Sequence, residues 1–267
     1  ELGNRTEITQ LIKNALVETS GAILITGPAG SGKSTTLYAC LRHLVTSNNG
    51  ARSIVTLEDP IEVPVDGVAQ SQVNLAGGFD LQTGLRSLMR QDPEVIMVGE
   101  IRDRETAEFA IQASLTGQLL IATFHSDSAA TAVTRLIEMG IEPFLVRSGL
   151  IAVITQRLLR ILCSCAREST NPDDFYGLDL EKARVPVGCK QCNNTGYADR
   201  AILSEYLDLR NAAIGPAILQ KADSREIYRL AIEHGMMPLA DQARELVQQG
   251  ITSPAELWRV LGSGTRT

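Results

Sequence analysis

Ile8, Leu11, Ile12, Ala15 and Leu16 recur at helical spacing and predict a helix over residues 7–20. The period then changes. Four short, nearly continuous apolar runs follow, Ala22–Thr26, Ser53–Leu57, Val95–Val98 and Leu119–Thr123. Such runs, without polar alternation, predict strands covered on both faces. Helical patterning returns between them. Thr35–Val45 follows the first run, and Ala107, Ala110, Ile111 and Ser114 mark one face of a later helix with Asp103 placed to cap it. Strands alternating with helices predict a parallel sheet in an α/β fold.

Beyond about residue 160 the pattern loosens. Glu168–Pro186 is polar and irregular and reads as a loop flanked by cysteine pairs, and the last stretch reads as short helices. Ser253-Pro254-Ala255-Glu256 predicts a helix start: Ser253 caps, Pro254 suits the first turn, and Glu256 reaches back to the cap. Trp258 is expected to pack within that tail. The expected division is a nucleotide-binding core over 1–160, a tetracysteine module over 161–207 and a helical subdomain over 208–267.

Charge and composition narrow the function. The net charge of −6, from 31 acidic and 25 basic residues, argues against a general nucleic-acid surface, and 4% aromatic residues leave little for base stacking. The chain has no apolar run long enough to span a bilayer and no signal-peptide pattern. It opens at Glu1 without Met, and a piece of a longer protein is expected.

Gly27-Pro28-Ala29-Gly30-Ser31-Gly32-Lys33-Ser34 matches the phosphate-binding loop pattern GxxxxGK[ST], between a predicted strand and a predicted helix beginning at Thr35. Glycines let successive backbone N–H groups turn toward phosphates, and the helix N-terminus adds partial positive charge. Lys33 is expected to reach the β- and γ-phosphates of ATP and Ser34 to ligate Mg²⁺. Hydrolysis also needs a carboxylate near the metal and a group that orients water. Glu58, Asp59 and Glu62 follow the second apolar run, and Glu100 follows the third in a Walker-B-like arrangement. Carboxyl ends of parallel strands share one edge, so all four acids are expected beside the loop. His125 follows the fourth run and is expected either to sense the γ-phosphate, to link neighbouring sites, or to serve structurally. His43 and His234 read as structural or exposed. Among the arginines Arg86, Arg90, Arg102 and Arg104, one is expected to stabilise transition-state charge across a subunit boundary.

Cys189-Lys190-Gln191-Cys192 has metal-ligand spacing, and with Cys163 and Cys165 it offers four thiolates for a structural Zn²⁺; reduced free thiols are the alternative. The Cys163-Ser164-Cys165 spacing is expected to strain chelation. Cys40 reads as a buried small hydrophobe.

Four blocks then occur in order: GPAGSGKSTTLY at 27–38, TLEDPIE at 56–62, LRSLMRQDPEVIMVGEIRDRETAE at 85–108 and LTGQLLIATFHSDSAATAVTRLIEMGIEP at 115–143. They resemble the Walker A, Asp box, Walker B and His box of the type II secretion and type IV pilus assembly ATPases. The resemblance continues through Gln156-Arg157-Leu158 and the cysteines to about Leu207. It implies a RecA-like core acting as a homo-hexamer on the cytoplasmic face of the inner membrane, where ATP turnover powers pseudopilus or pilus assembly. It further implies Glu62 as general base, Glu100 as the acid near Mg²⁺, and His125 as the second His-box histidine. The tetracysteine segment points to the secretion or assembly branch rather than pilus retraction. N-terminal domains outside the chain are expected to supply arginines and to join inner-membrane platform proteins; no nucleic-acid partner is expected. Two positions depart from the family pattern: Gln118 stands where His is usual, and the first cysteine pair is CxC rather than CxxC. A nucleic-acid motor and a nucleotide-sensing assembly module with little turnover are the competing functions.

Overall fold

The computed structural model describes residues 2–47 and 50–262; Glu1 and positions 263–267 of the expected helical tail lie outside the described residues. Each apolar run becomes a strand: β1 (Gly21–Thr26), β2 (Ile54–Glu58), β4 (Val95–Ile101) and β5 (Leu119–Phe124), with β3 (Ala69–Gln72) added at one edge. Two long strands, β6 (Leu150–Leu162) and β9 (Tyr197–Asp208), complete a seven-stranded sheet of order β3-β2-β4-β5-β1-β6-β9. All neighbours are parallel except β6 and β9. The α/β fold with a mostly parallel sheet is therefore present.

Alternate residues of each central strand feed opposite layers. Ile23 and Ile25 of β1 pack with Ile8 and Ile12 of α1 (Thr6–Leu16) and Leu37, Leu41 and Leu44 of α2 (Lys33–Ser47). Ala22 and Leu24 face the other layer, built from α3 (Leu81–Leu88), α4 (Arg104–Leu115), α5 (Ala129–Glu138), α6 (Pro143–Gly149), α7 (Ile214–Leu219) and α8 (Ser224–Glu233). Asp103 caps α4 as expected, its carboxylate accepting from the Thr106 N–H at 2.8 Å.

The expected division of the chain differs from the observed one at two places. Residues 197–207, assigned to the cysteine module, form β9, hydrogen-bonded along β6 from Ala152↔Asp208 to Leu162↔Tyr197. The cysteine lobe is the excursion between these strands. It holds a small antiparallel pair, β7 (Arg167–Ser169) and β8 (Ala183–Val185), at the two ends of the segment read as a loop. The tail also splits. Helices α7 and α8 complete the main core, whereas α9 (Leu239–Gln248) and α10 (Pro254–Leu261) cover the β6–β9 ribbon through Leu159, Leu203, Leu239, Ala243, Val247 and Leu257. Trp258 lies in this region, its ring 6.5 Å from that of Tyr176.

Ser253 caps α10, accepting from the Glu256 N–H at 3.1 Å, but the Glu256 carboxylate does not return to the cap. It is fully buried and instead accepts from the Arg160 N–H (2.9 Å), the Arg160 guanidinium (2.6 Å) and Arg259 (2.6 Å), which ties α10 to β6. Burial opposes the charge, but these donors outweigh it and hold the carboxyl at about 2. A depressed folded-state value stabilises the protein above the unfolded Glu value of about 4.3 and loses that stabilisation as pH falls toward 2. Glu256→Gln is expected to lower stability by about 2 kcal/mol at pH 7 and to approach wild type near pH 2. Thermal melts of the two proteins across that range check this; a difference independent of pH would contradict it.

Candidate active site

β1 ends at Thr26 and α2 begins at Lys33, and the six residues between them form the turn. Gly27, Gly30 and Gly32 take φ values of 144°, 74° and 91°, a region that disfavours side chains. Space forbids one at Gly27 as well: a Cβ there would stand 2.5 Å from Ser31 Oγ and 2.6 Å from the Gln156 carbonyl oxygen. The loop thus closes against β6, where Gln156 Nε2 donates to Thr36 Oγ1 at 2.9 Å and Thr155 meets Thr26 at 2.7 Å. Lys33 Nζ lies across the turn, donating to the carbonyls of Gly27 (2.8 Å) and Pro28 (3.0 Å). Burial pushes its pKa below the usual lysine value and Arg157 adds to this, while Glu100 opposes it.

The acids arrive from neighbouring strand ends. A bulge between Val98 and Ile101 interrupts the pairing of β4 with β5 and sets Glu100 at the cleft; Thr123 Oγ1 holds it by donating to the Gly99 carbonyl at 2.5 Å. Arg102 Nε donates to Glu100 at 2.5 Å. Glu62 sits on the loop after β2 and accepts from Ser34 Oγ at 3.3 Å. Asp59 lines the same space. These groups surround a cleft of about 490 Å³ that also takes in Asp80 and Asp103, two acids that sequence reading did not place there. Asp80 is the N-cap of α3, accepting from the Thr83 N–H at 2.7 Å, and its position was visible only as a capping pattern.

Other expected site residues stand apart. Glu58 borders the cleft but is buried, and its carboxylate is committed to Tyr38, Thr56 (2.6 Å) and Gln70 (2.9 Å); it is an internal anchor rather than an open ligand. His125 is exposed at the end of β5, outside the cleft lining, with its carbonyl accepting from Arg135 at 2.7 Å. Arg86 and Arg90 are exposed and also lie outside that lining, as does the exposed Thr35. Arg104 pairs with Glu108 at 3.9 Å. Gln118 precedes β5 and so lies at the edge of the sheet opposite the phosphate loop, its side chain accepting from Thr116 at 2.8 Å.

The four cysteines converge. Their sulfurs all lie within 4.8 Å of one another, with Cys163–Cys189 at 3.8 Å, Cys165–Cys192 at 3.9 Å and Cys189–Cys192 at 3.8 Å. Tetrahedral Zn²⁺ with Zn–S of about 2.3 Å places sulfurs about 3.8 Å apart, so the group fits the ion, and the short CxC pair is no obstacle to closure. The N–H groups of Cys189 and Gly196 point at Cys192 Sγ, both at 3.2 Å. Against the opposing effect of burial, these donors and the neighbouring thiols hold the Cys192 thiol at about 6, and Cys163 is also lowered, by the Cys165 N–H first. Cys165 is pushed up to about 11 by burial, whereas thiolate ligation would reverse that preference. Cys40 is buried in α2 and, as expected, behaves as an inert apolar side chain, its thiol raised to about 12.

Type II secretion system ATPase E of Vibrio cholerae is 45% identical over 247 residues, covering 90% of this chain and 48% of its own length. Type IV pilus assembly ATPase PilB of Thermus thermophilus is 39% identical over 266 residues, covering 96% of this chain and 30% of its own. The solved structure of the Legionella pneumophila ATPase DotB matches with a TM-score of 0.67 at 25% identity, covering 93% of this chain and 62% of that one. The chain spans about half the length of the type II secretion relatives it matches. The family described as Type II/IV secretion system protein matches residues 1–259, and this chain belongs to it.

Proposed function

We propose that this chain is the Mg-ATP-hydrolysing part of a motor that drives type II protein secretion through pseudopilus assembly. The observation that carries the reading is the convergence of Lys33, Ser34, Glu62 and Glu100 on one cleft at the carboxyl ends of β1, β2 and β4. Lys33 is placed to exchange its two carbonyl partners for the β- and γ-phosphates, the main-chain N–H groups of Gly30, Gly32 and the opening residues 33–35 of α2 supplying further donors. Ser34 Oγ and Glu100 would hold Mg²⁺, which neutralises phosphate charge during transfer. Glu62 is the base that takes a proton from the attacking water. Arg102, already bonded to Glu100, is the arginine this chain itself brings to the cleft.

The assembly is proposed to be a homo-hexamer. His125, Arg86 and Arg90, exposed outside the cleft, are then available to a neighbouring protomer. No helix among the described residues is long and apolar enough to cross a membrane. Placement at the cytoplasmic face of the inner membrane would therefore come through platform proteins and segments outside this chain. Type IV pilus assembly is the second reading, favoured by the similarity to PilB. The cysteine lobe is proposed to hold one structural Zn²⁺.

Lys33→Ala is expected to remove Mg-ATP turnover by the full-length protein, and Glu62→Gln to lower kcat by about 10²-fold or more while nucleotide binding persists. Phosphate release beside fluorescent-nucleotide titration checks both; wild-type turnover in Glu62→Gln would remove it from the role of base. Binding without turnover in the wild type would favour a nucleotide-sensing module. For the cysteines, metal analysis is expected to find about one Zn²⁺ per chain in the wild type and none in Cys192→Ser, with proteolysis between β6 and β9 accelerated. A metal-free wild type with a protease-resistant lobe would contradict the zinc reading.

A further inference from the structure

Glu62 sits on a segment that does not hold its own shape. Residues 60–64 include Pro60 and Pro64 and form no backbone-to-backbone hydrogen bond among the described residues. Buried or half-buried amides must nevertheless find partners. Side chains from two neighbouring elements provide them. Ile61 N–H donates to Gln72 of β3 at 3.2 Å, and Val65 N–H to Gln70 of the same strand at 2.7 Å. Gln70 returns a bond to the Val63 carbonyl at 3.1 Å. The amides of Glu62 and Val63 both donate to the hydroxyl of Tyr38, at 3.0 and 3.4 Å.

Tyr38 and Ser34 are four residues apart on α2, so they share one face of that helix. Ser34 Oγ donates to the Glu62 carboxylate, while Tyr38 Oη accepts from the Glu62 main chain. The helix that opens at the phosphate loop therefore fixes both ends of one residue. A phenol has a single proton and can accept with its lone pairs. That proton is committed to the carboxylate of Glu58, only 3% exposed, which also accepts from Thr56 and Gln70. With its proton drawn inward, the oxygen of Tyr38, itself 5% exposed, turns its lone pairs toward the loop amides.

We propose that Tyr38 is a positioning residue for hydrolysis: its hydroxyl, oriented by Glu58, holds the Glu62 main chain so that the carboxylate meets the attacking water. Tyr38 touches no reacting atom in this role. The proposal rests on the reading of Glu62 as the base.

Tyr38→Phe removes one oxygen and leaves the ring packing in place. In the full-length protein it is expected to lower kcat about 10- to 100-fold, because a misplacement of about 1 Å is that damaging, while KM for ATP and ADP affinity stay within about twofold. Amide hydrogen exchange at residues 61–63 is expected to accelerate without change in α2. Single-turnover rates of the Tyr38→Phe/Glu62→Gln double variant are expected to equal those of Glu62→Gln alone, since Tyr38 acts through Glu62. An unchanged kcat, unchanged exchange at 61–63, or the same fold loss on both backgrounds would overturn the proposal. Wild-type turnover in Glu62→Gln would sink the general-base reading and this inference with it, whereas a disabled Glu62→Gln beside a fully active Tyr38→Phe would sink this inference alone. If Tyr38→Phe melts well below wild type, Gln70→Leu loosens the same loop from the β3 side; a kcat-selective loss there supports the proposal and full activity refutes it.

Discussion

Parallel pairing of β1, β2, β4 and β5 forces their carboxyl ends onto one edge of the sheet, and the makeup of the cleft depends on that direction. The phosphate turn leaves β1, the Glu62 loop leaves β2, and Glu100 sits on the bulge of β4. Residues far apart in sequence thereby border one cleft without any long loop having to reach across. The same constraint removes Gln118 from the chemistry. It precedes β5, so a strand of six residues, rising about 3.3 Å per residue, separates it from the active edge. A departure from the family pattern at that position lies on the far rim of the sheet, where Gln118 bonds Thr116.

What the sequence made readable follows from burial. The four central strands were found because both faces are covered, which leaves an unbroken apolar run in each. Strands β6 and β9 escaped for the converse reason. Gln156, Arg157, Arg160, Ser204 and Glu205 interrupt them, and apart from the Gln156 side-chain oxygen their polar groups bond tertiary partners that no local pattern shows. Glu205, for example, is almost fully buried, accepting from the Ala129 N–H at the start of α5 and from Tyr228 of α8; burial raises its pKa above the ordinary carboxylate value. The cysteine spacing identified the candidate ligand set, but the closeness of the four sulfurs was settled only by the β6–β9 ribbon.

Within the cleft, residue type alone did not separate the acids. Glu58, Asp59, Glu62 and Glu100 all lie at or just beyond the carboxyl ends of strands, and the sequence cannot say which are open. The structure divides them by hydrogen bonding: Glu58 faces inward on three donors, whereas Glu62 and Glu100 each meet a group that also faces the cleft. Tyr38 ends the Walker A block, and its spacing of four from Ser34 is the one local sign that it shares the face of α2 turned to the cleft.

The carboxyl-terminal region reaches the cleft through β6. This strand lies beside β1 as far as Thr155 and then runs on from Gln156 to Leu162, about 23 Å at about 3.3 Å per residue. The junction of its two parts forms the rear wall of the phosphate turn: the Gln156 carbonyl is packed so close to Gly27 that no side chain fits between them. Its second part is held by β9, by the Glu256 clamp on Arg160 and by the core under α9 and α10, and its end carries the first cysteine pair. A strand anchored at one end transmits its register to the other, because sliding by one residue would exchange its faces. The clamp and the cysteine lobe therefore do more than close the tail of the chain. They fix where β6 presents Gln156, and so preserve the wall against which the phosphate turn keeps its shape.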